Sequence, residues 1–126
     1  VKFSTRLFVT CAAFLGLTGI IFAALGSHIV DMQAVKNGAA IWQTASIIHL
    51  FQASALLGFS LWLNSLNSRQ LVWACALMLT GTLVFCGSLY IRVVSAGEIS
   101  GAAPVGGVIM MLGWLLAGIL FWRNPE

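Results

Sequence analysis

Charge is what this sequence has least of. Only 7% of its 126 residues are Asp, Glu, Lys or Arg, against about 25% in an ordinary soluble domain. So few charges do not make a water-facing surface, which excludes a soluble globular protein. Paired cysteines are missing too: Cys11, Cys75 and Cys86 are odd in number, show no CxxC spacing and lie inside apolar runs. That excludes a disulfide framework and a zinc site and leaves three small residues for helix packing. No Ser-His-Asp set, carboxylate pair or HExxH spacing occurs, and Gly106-Gly107 lacks the Lys and Ser or Thr of a phosphate loop. Neither an enzyme nor a bound cofactor or metal is therefore expected. The net charge of +3 and pI near 9.1 do not point to nucleic acid, because the cations stand singly between apolar runs.

What is present is apolar length. The uncharged stretches between Arg6 and Asp31, Lys36 and Arg69, Arg69 and Arg92, and Glu98 and Arg123 run to 24, 32, 22 and 24 residues. A membrane-spanning helix needs about 20 apolar residues, so each stretch holds one, at about 7–27, 41–63, 71–91 and 104–122. A bilayer requires every backbone polar group to be paired within a helix or a closed barrel, and uninterrupted apolar runs of this length exclude barrel strands. The expected fold is all-α: a polytopic membrane protein, one domain over residues 1–126, built as a bundle of four transmembrane helices with short loops. The apolar stretch Leu7 to Leu25 exceeds the 7 to 15 residues or so of a signal-peptide core, so it is expected to be a retained span.

Four spans put both termini on one side, together with the turn at 64–70. That side carries Lys2, Arg6, Arg69 and Arg123, and the other carries Lys36 and Arg92. The positive-inside rule then places both termini in the cytoplasm. Trp42 is expected to mark the outer border of the second span and Trp62, Trp73 and Trp122 the inner interface, with Trp114 an exception in mid-span.

Small residues draw the packing faces. Ala12, Gly16, Gly19, Ala23 and Gly26 recur at spacings of four and three, which predicts a seam along the first helix where another backbone approaches. Gly106, Gly107, Gly113 and Ala117 repeat this more weakly on the fourth, and Pro104 suits its first turn. On the second helix, Trp42, Ala45, Ser46, His49, Gln52 and Ala53 share one face, expected to be buried, with Ile47, Leu50, Phe51 and Leu61 toward lipid.

His49 and Gln52 are the most suggestive residues, since an ionisable group inside a span is costly and usually faces the bundle interior. The pair either binds a ligand, metal or proton, or serves interhelical hydrogen bonding with Ser46, Ser88 or Tyr90; the second reading is favoured. His28, near Asp31, suits a helix C-terminus through the helix dipole better than a metal. Arg92 reads as a snorkelling cation or a surface partner of Glu98. Together His28, His49, Gln52, Ser88, Tyr90 and Arg92 make a candidate polar site, all toward one end of the bundle. Helix-packing positions are the glycines and alanines above with Trp114.

Taken in order, Ala24-Leu25-Gly26 followed by His28, Trp42-Gln43-Thr44, Phe85 with Gly87-Ser88-Leu89-Tyr90, Pro104 with Gly106-Gly107, and Gly113-Trp114 resemble a known family. It is the small bacterial inner-membrane proteins of domain of unknown function 423, whose eukaryotic relative is transmembrane protein 256. The resemblance runs over about 7–122 and implies four helices and the bacterial inner membrane, with no established activity. One departure is visible: members place Gln first and His three residues later, whereas here His49 precedes Gln52. A structural or interaction component of a membrane assembly is expected, with membrane lipids and either another membrane protein or a second copy as partners. The alternative is a small-molecule, lipid or ion binding or transport module using the polar end.

Overall fold

A computed structural model of the chain describes residues 1–28, 37–95 and 102–123. They form four helices: α1 (Phe3–His28), α2 (Gly38–Ser65), α3 (Arg69–Ser95) and α4 (Ala102–Arg123). Each contains an expected span and exceeds it by one to four residues at either end. At about 1.5 Å per residue, the 22 residues of α4 reach about 33 Å, enough for the hydrocarbon core of a bilayer. Among the described residues there is no strand.

Consecutive helices run antiparallel. Lys2 Nζ donates to the Leu63 carbonyl at one end of the α1–α2 pair, and Trp42 Nε1 donates to the Phe22 carbonyl toward the other. The α2–α3 turn takes only residues 66–68, and Ser68 Oγ accepts the Leu71 N–H at 3.3 Å, capping the first turn of α3. Asn37, just before α2, has φ 60°, a left-handed conformation that Asn tolerates better than most residues.

Packing follows chain order, α1 on α2, α2 on α3 and α3 on α4, with a slight touch of α1 on α3. The most extensive contact is α3 on α4, where glycine lets the backbones meet. A Cβ on Gly81 would lie 2.7 Å from Met110 N and 2.9 Å from the Gly106 carbonyl, and one on Gly113 would lie 3.2 Å from Met78 N. Gly106 itself sits on the Phe85 backbone. Gly107 is looser, with the Phe85 ring 3.8 Å from its added Cβ.

The seam expected on α1 is used differently. Gly19 and Gly26 receive the side chains of Leu50 and Trp42, not a backbone, and a Cβ on Gly16 would meet nothing within 4 Å. Ala12 is buried, and Ala23 lines a groove beside Trp42. Leu50, expected toward lipid, covers Gly19 instead, because the missing side chain there leaves space for it.

Two apolar clusters fill the bundle. One joins Phe8, Leu15, Leu56, Leu63, Leu71, Met78 and Leu120; the other joins Trp42, Ala45, Cys86, Tyr90 and Val93. Large apolar side chains also cover the outside, among them Phe14, Ile20, Ile47, Phe51, Leu83, Met111 and Phe121. In water such a surface would aggregate. Against lipid tails it is the required exterior.

Candidate functional site

The buried face of α2 carries His49 and Gln52 between the two clusters, at 4% and 3% exposure. His49 reaches two other helices. Its Nε2 lies 3.1 Å from Thr18 Oγ1 on α1, and its Nδ1 lies 3.0 Å from the Tyr90 hydroxyl on α3. Thr18 also donates to the Phe14 carbonyl at 2.9 Å, which orients its oxygen to accept from Nε2–H and leaves Nδ1 to accept from Tyr90. Ser46 Oγ stands 3.4 Å from the same tyrosine hydroxyl.

Gln52 reaches the fourth helix. Its Oε1 accepts the Trp114 Nε1–H at 3.0 Å, while its amide nitrogen faces Thr82 Oγ1 and Met78 Sδ, each at 3.5 Å. Thr82 donates to the Met78 carbonyl at 2.7 Å. Trp114, anomalous as an interface marker, is thus placed in mid-span by a hydrogen bond, and its ring packs on Phe51 and Phe59 with centroids 5.8 and 5.1 Å apart. One helix turn of α2 therefore holds α1, α3 and α4.

Trp42 lies near the start of α2 and on the buried face expected for that helix. It is 5% exposed, its N–H donates to the Phe22 carbonyl at 2.7 Å, and its ring centroid stands 4.6 Å from that of Tyr90. Gly26 makes this possible, since any side chain there would occupy the indole's place.

Of the residues grouped by sequence, the structure brings together His49, Gln52 and Tyr90. Ser88 does not join them: its hydroxyl donates to Phe85 within its own helix. Arg92 is half-buried at the end of α3, and its Nε has no hydrogen-bond partner among the described residues. His28 closes α1, and its expected relation to Asp31, like that of Arg92 to Glu98, lies outside the described residues. Thr18, Thr82 and Met78 went unrecognised in the sequence, because a single Thr or Met in an apolar run has no periodic signal. Cys86 donates its thiol to the Ala45 carbonyl at 3.4 Å, and Cys75 is buried. Among the described residues no three His, Cys, Asp or Glu gather where a metal ion would sit.

Because α1 and α3 barely touch, a crevice of about 290 Å³ opens between them. Phe14, Phe22, Leu83 and Gly87 form its walls, with His49 and Tyr90 at its base.

Four apolar helices joined by internal hydrogen bonds define a small polytopic membrane protein. A family model described as "Protein of unknown function (DUF423)" matches residues 22–107, more than half of the chain, and the chain belongs to that family. The UPF0382 inner membrane protein YgdD of Escherichia coli K12 is 34% identical over 110 residues, covering 82% of each chain. UPF0382 membrane proteins of Staphylococcus aureus and Staphylococcus epidermidis are 27% and 28% identical over 112 residues, 88% of this chain and 91% of theirs. None of these names carries an enzymatic activity. No solved structure matches the chain.

Proposed function

We propose that this protein is a structural or interaction component of a bacterial inner-membrane assembly, a non-enzymatic bundle that packs against a membrane partner or a second copy. The observation carrying this reading is that His49 and Gln52 are spent on side chains of other helices. Both ring nitrogens of His49 and the carbonyl of Gln52 meet groups on other helices, so they act as fasteners and leave no ring lone pair free for a ligand. Interhelical hydrogen bonds of this kind contribute about 0.6 kcal/mol each, and at most about 1 to 2. Thr18 and His49 do not make a nucleophile and base, since the threonine proton is directed to main-chain carbonyls. The test is purification in mild detergent at native expression: a membrane protein or second copy retained at fixed stoichiometry supports the proposal, and a monomer carrying only a small molecule contradicts it.

One observation favours a second reading, a binding or transport module: the crevice whose base is formed by His49 and Tyr90. His49→Gln separates the two, because glutamine keeps a donor and an acceptor but loses the imidazole. The fastener reading expects detergent stability within about 1 kcal/mol of the parent and unchanged association. A folded variant that loses a bound small molecule or a transport signal would establish the module.

Orientation belongs to the same proposal. Lys2, Arg6, Arg69 and Arg123 gather at one end of the bundle, and that end is the cytoplasmic one by the positive-inside rule. A periplasm-active reporter fused after Glu126 is expected to stay inactive, and activity would reverse the orientation.

A further inference from the structure

We propose that the furrow between α1 and α2 holds an anionic phospholipid, its phosphate against Arg6 and an acyl chain lying over Gly16. The inference depends on neither the partner nor the orientation proposed above. At the cationic end, a cavity of about 440 Å³ is lined by Thr5, Arg6 and Thr10 of α1 and by Leu61 and Asn64 of α2. Farther along the same pair of helices a second cavity, of about 290 Å³, is lined by Ala13, Gly16, Ser54 and Leu57. Small residues on α1 leave this furrow open, and over Gly16 an added Cβ would find no atom within 4 Å.

The two cavities differ in chemistry as the two parts of a phospholipid do. The Arg6 guanidinium is exposed and has no hydrogen-bond partner among the described residues. Thr5 is 3% exposed, yet its Oγ1 has no hydrogen-bond partner among the described residues, a costly state for a buried hydroxyl. A phosphate oxygen answers the guanidinium, accepting from it with charge assistance. No described residue is acidic, so no carboxylate among them competes for Arg6. The apolar continuation takes an acyl chain and no other part of a polar ligand. A second copy fits less well, because a two-fold axis along the membrane normal would bring the cationic ends of both copies to one level.

The test is native mass spectrometry of the full chain released from phosphatidylcholine bilayers containing a minor fraction of phosphatidylglycerol. One retained phosphatidylglycerol per chain is expected. Arg6→Gln should lower retention roughly fivefold, the worth of one cation near an anionic headgroup. Gly16→Leu should lower it by filling the furrow while thermal stability stays at the parent value, because the added side chain meets open space. Equal retention of phosphatidylcholine and phosphatidylglycerol would overturn the proposal, as would indifference to both substitutions. A two-chain species abolished by Gly16→Leu would also overturn it and identify the furrow as an interface between copies.

Discussion

Gly106→Val is expected to part α3 from α4 and to destabilise the bundle by about 3 kcal/mol or more, at the upper end of the usual overpacking range. The added carbons would enter the Phe85 backbone, with its Cα 2.8 Å from the first of them. A flexible side chain yields to such a clash, but a helix backbone moves only as a whole. The neighbouring contacts of Gly81 with Met110 and of Gly113 with Met78 would open with it. Loss of bilayer hydrophobic force between helices sharpens the effect, because close packing is a main source of cohesion in lipid. Unfolding in bicelles checks this, and a variant as stable as the parent would show that the close approach of α3 and α4 is not what holds them. Gly107→Ala is the control, since its added Cβ meets only the Phe85 ring at an ordinary 3.8 Å.

Trp42→Ala is expected to cost roughly 2 kcal/mol or more, and to loosen one end of the bundle before the other. In water a buried tryptophan lost to alanine costs about 3 to 5 kcal/mol, part of which is transfer from water and does not apply in lipid. What is lost here is the packing of the indole on Phe22, Tyr90 and Gly26 and its 2.7 Å bond to the Phe22 carbonyl. Trp42→Phe removes the N–H and keeps most of the ring, so its cost should be near that of one interhelical hydrogen bond, about 0.6 kcal/mol. Hydrogen exchange in bicelles should show faster exchange around Ala45 and Val93 in the alanine variant, with little change around Leu56 and Leu71 in the other cluster. Uniform exchange across both clusters would mean that Trp42 belongs to one cooperative core.

The four helices were legible because charge marks their ends: no helix interior contains a carboxylate, and the spans sit inside the uncharged gaps. The buried face of α2 was legible for a similar reason, since Trp42, Ser46, His49 and Gln52 recur at helical spacing. Pairing between helices was not. Gly81 stands alone in the sequence, and only the register of α3 against α4 sets it on Met110. Gly16 and Gly19 look alike on a helical wheel, yet Leu50 covers one and nothing covers the other, a difference fixed by the crossing of α1 and α2. The inward direction of Trp42 was legible from its face of α2, but its pocket was not, because Gly26 on another helix provides it. Ser88 satisfied its hydroxyl locally, as serine in apolar helices commonly does, and left Tyr90 to His49.

The fastening of all four helices by one turn of α2 is tested most directly by a double-mutant cycle on Gln52 and Trp114, using Gln52→Leu, Trp114→Phe and the double variant, with unfolding free energies measured in bicelles. The 3.0 Å bond between them predicts a favourable coupling of about 0.6 kcal/mol, reaching about 1.7 at most. Strictly additive single effects, with no coupling beyond error, would mean that α4 is held by its contact with α3 alone and that Gln52 is not a fastener.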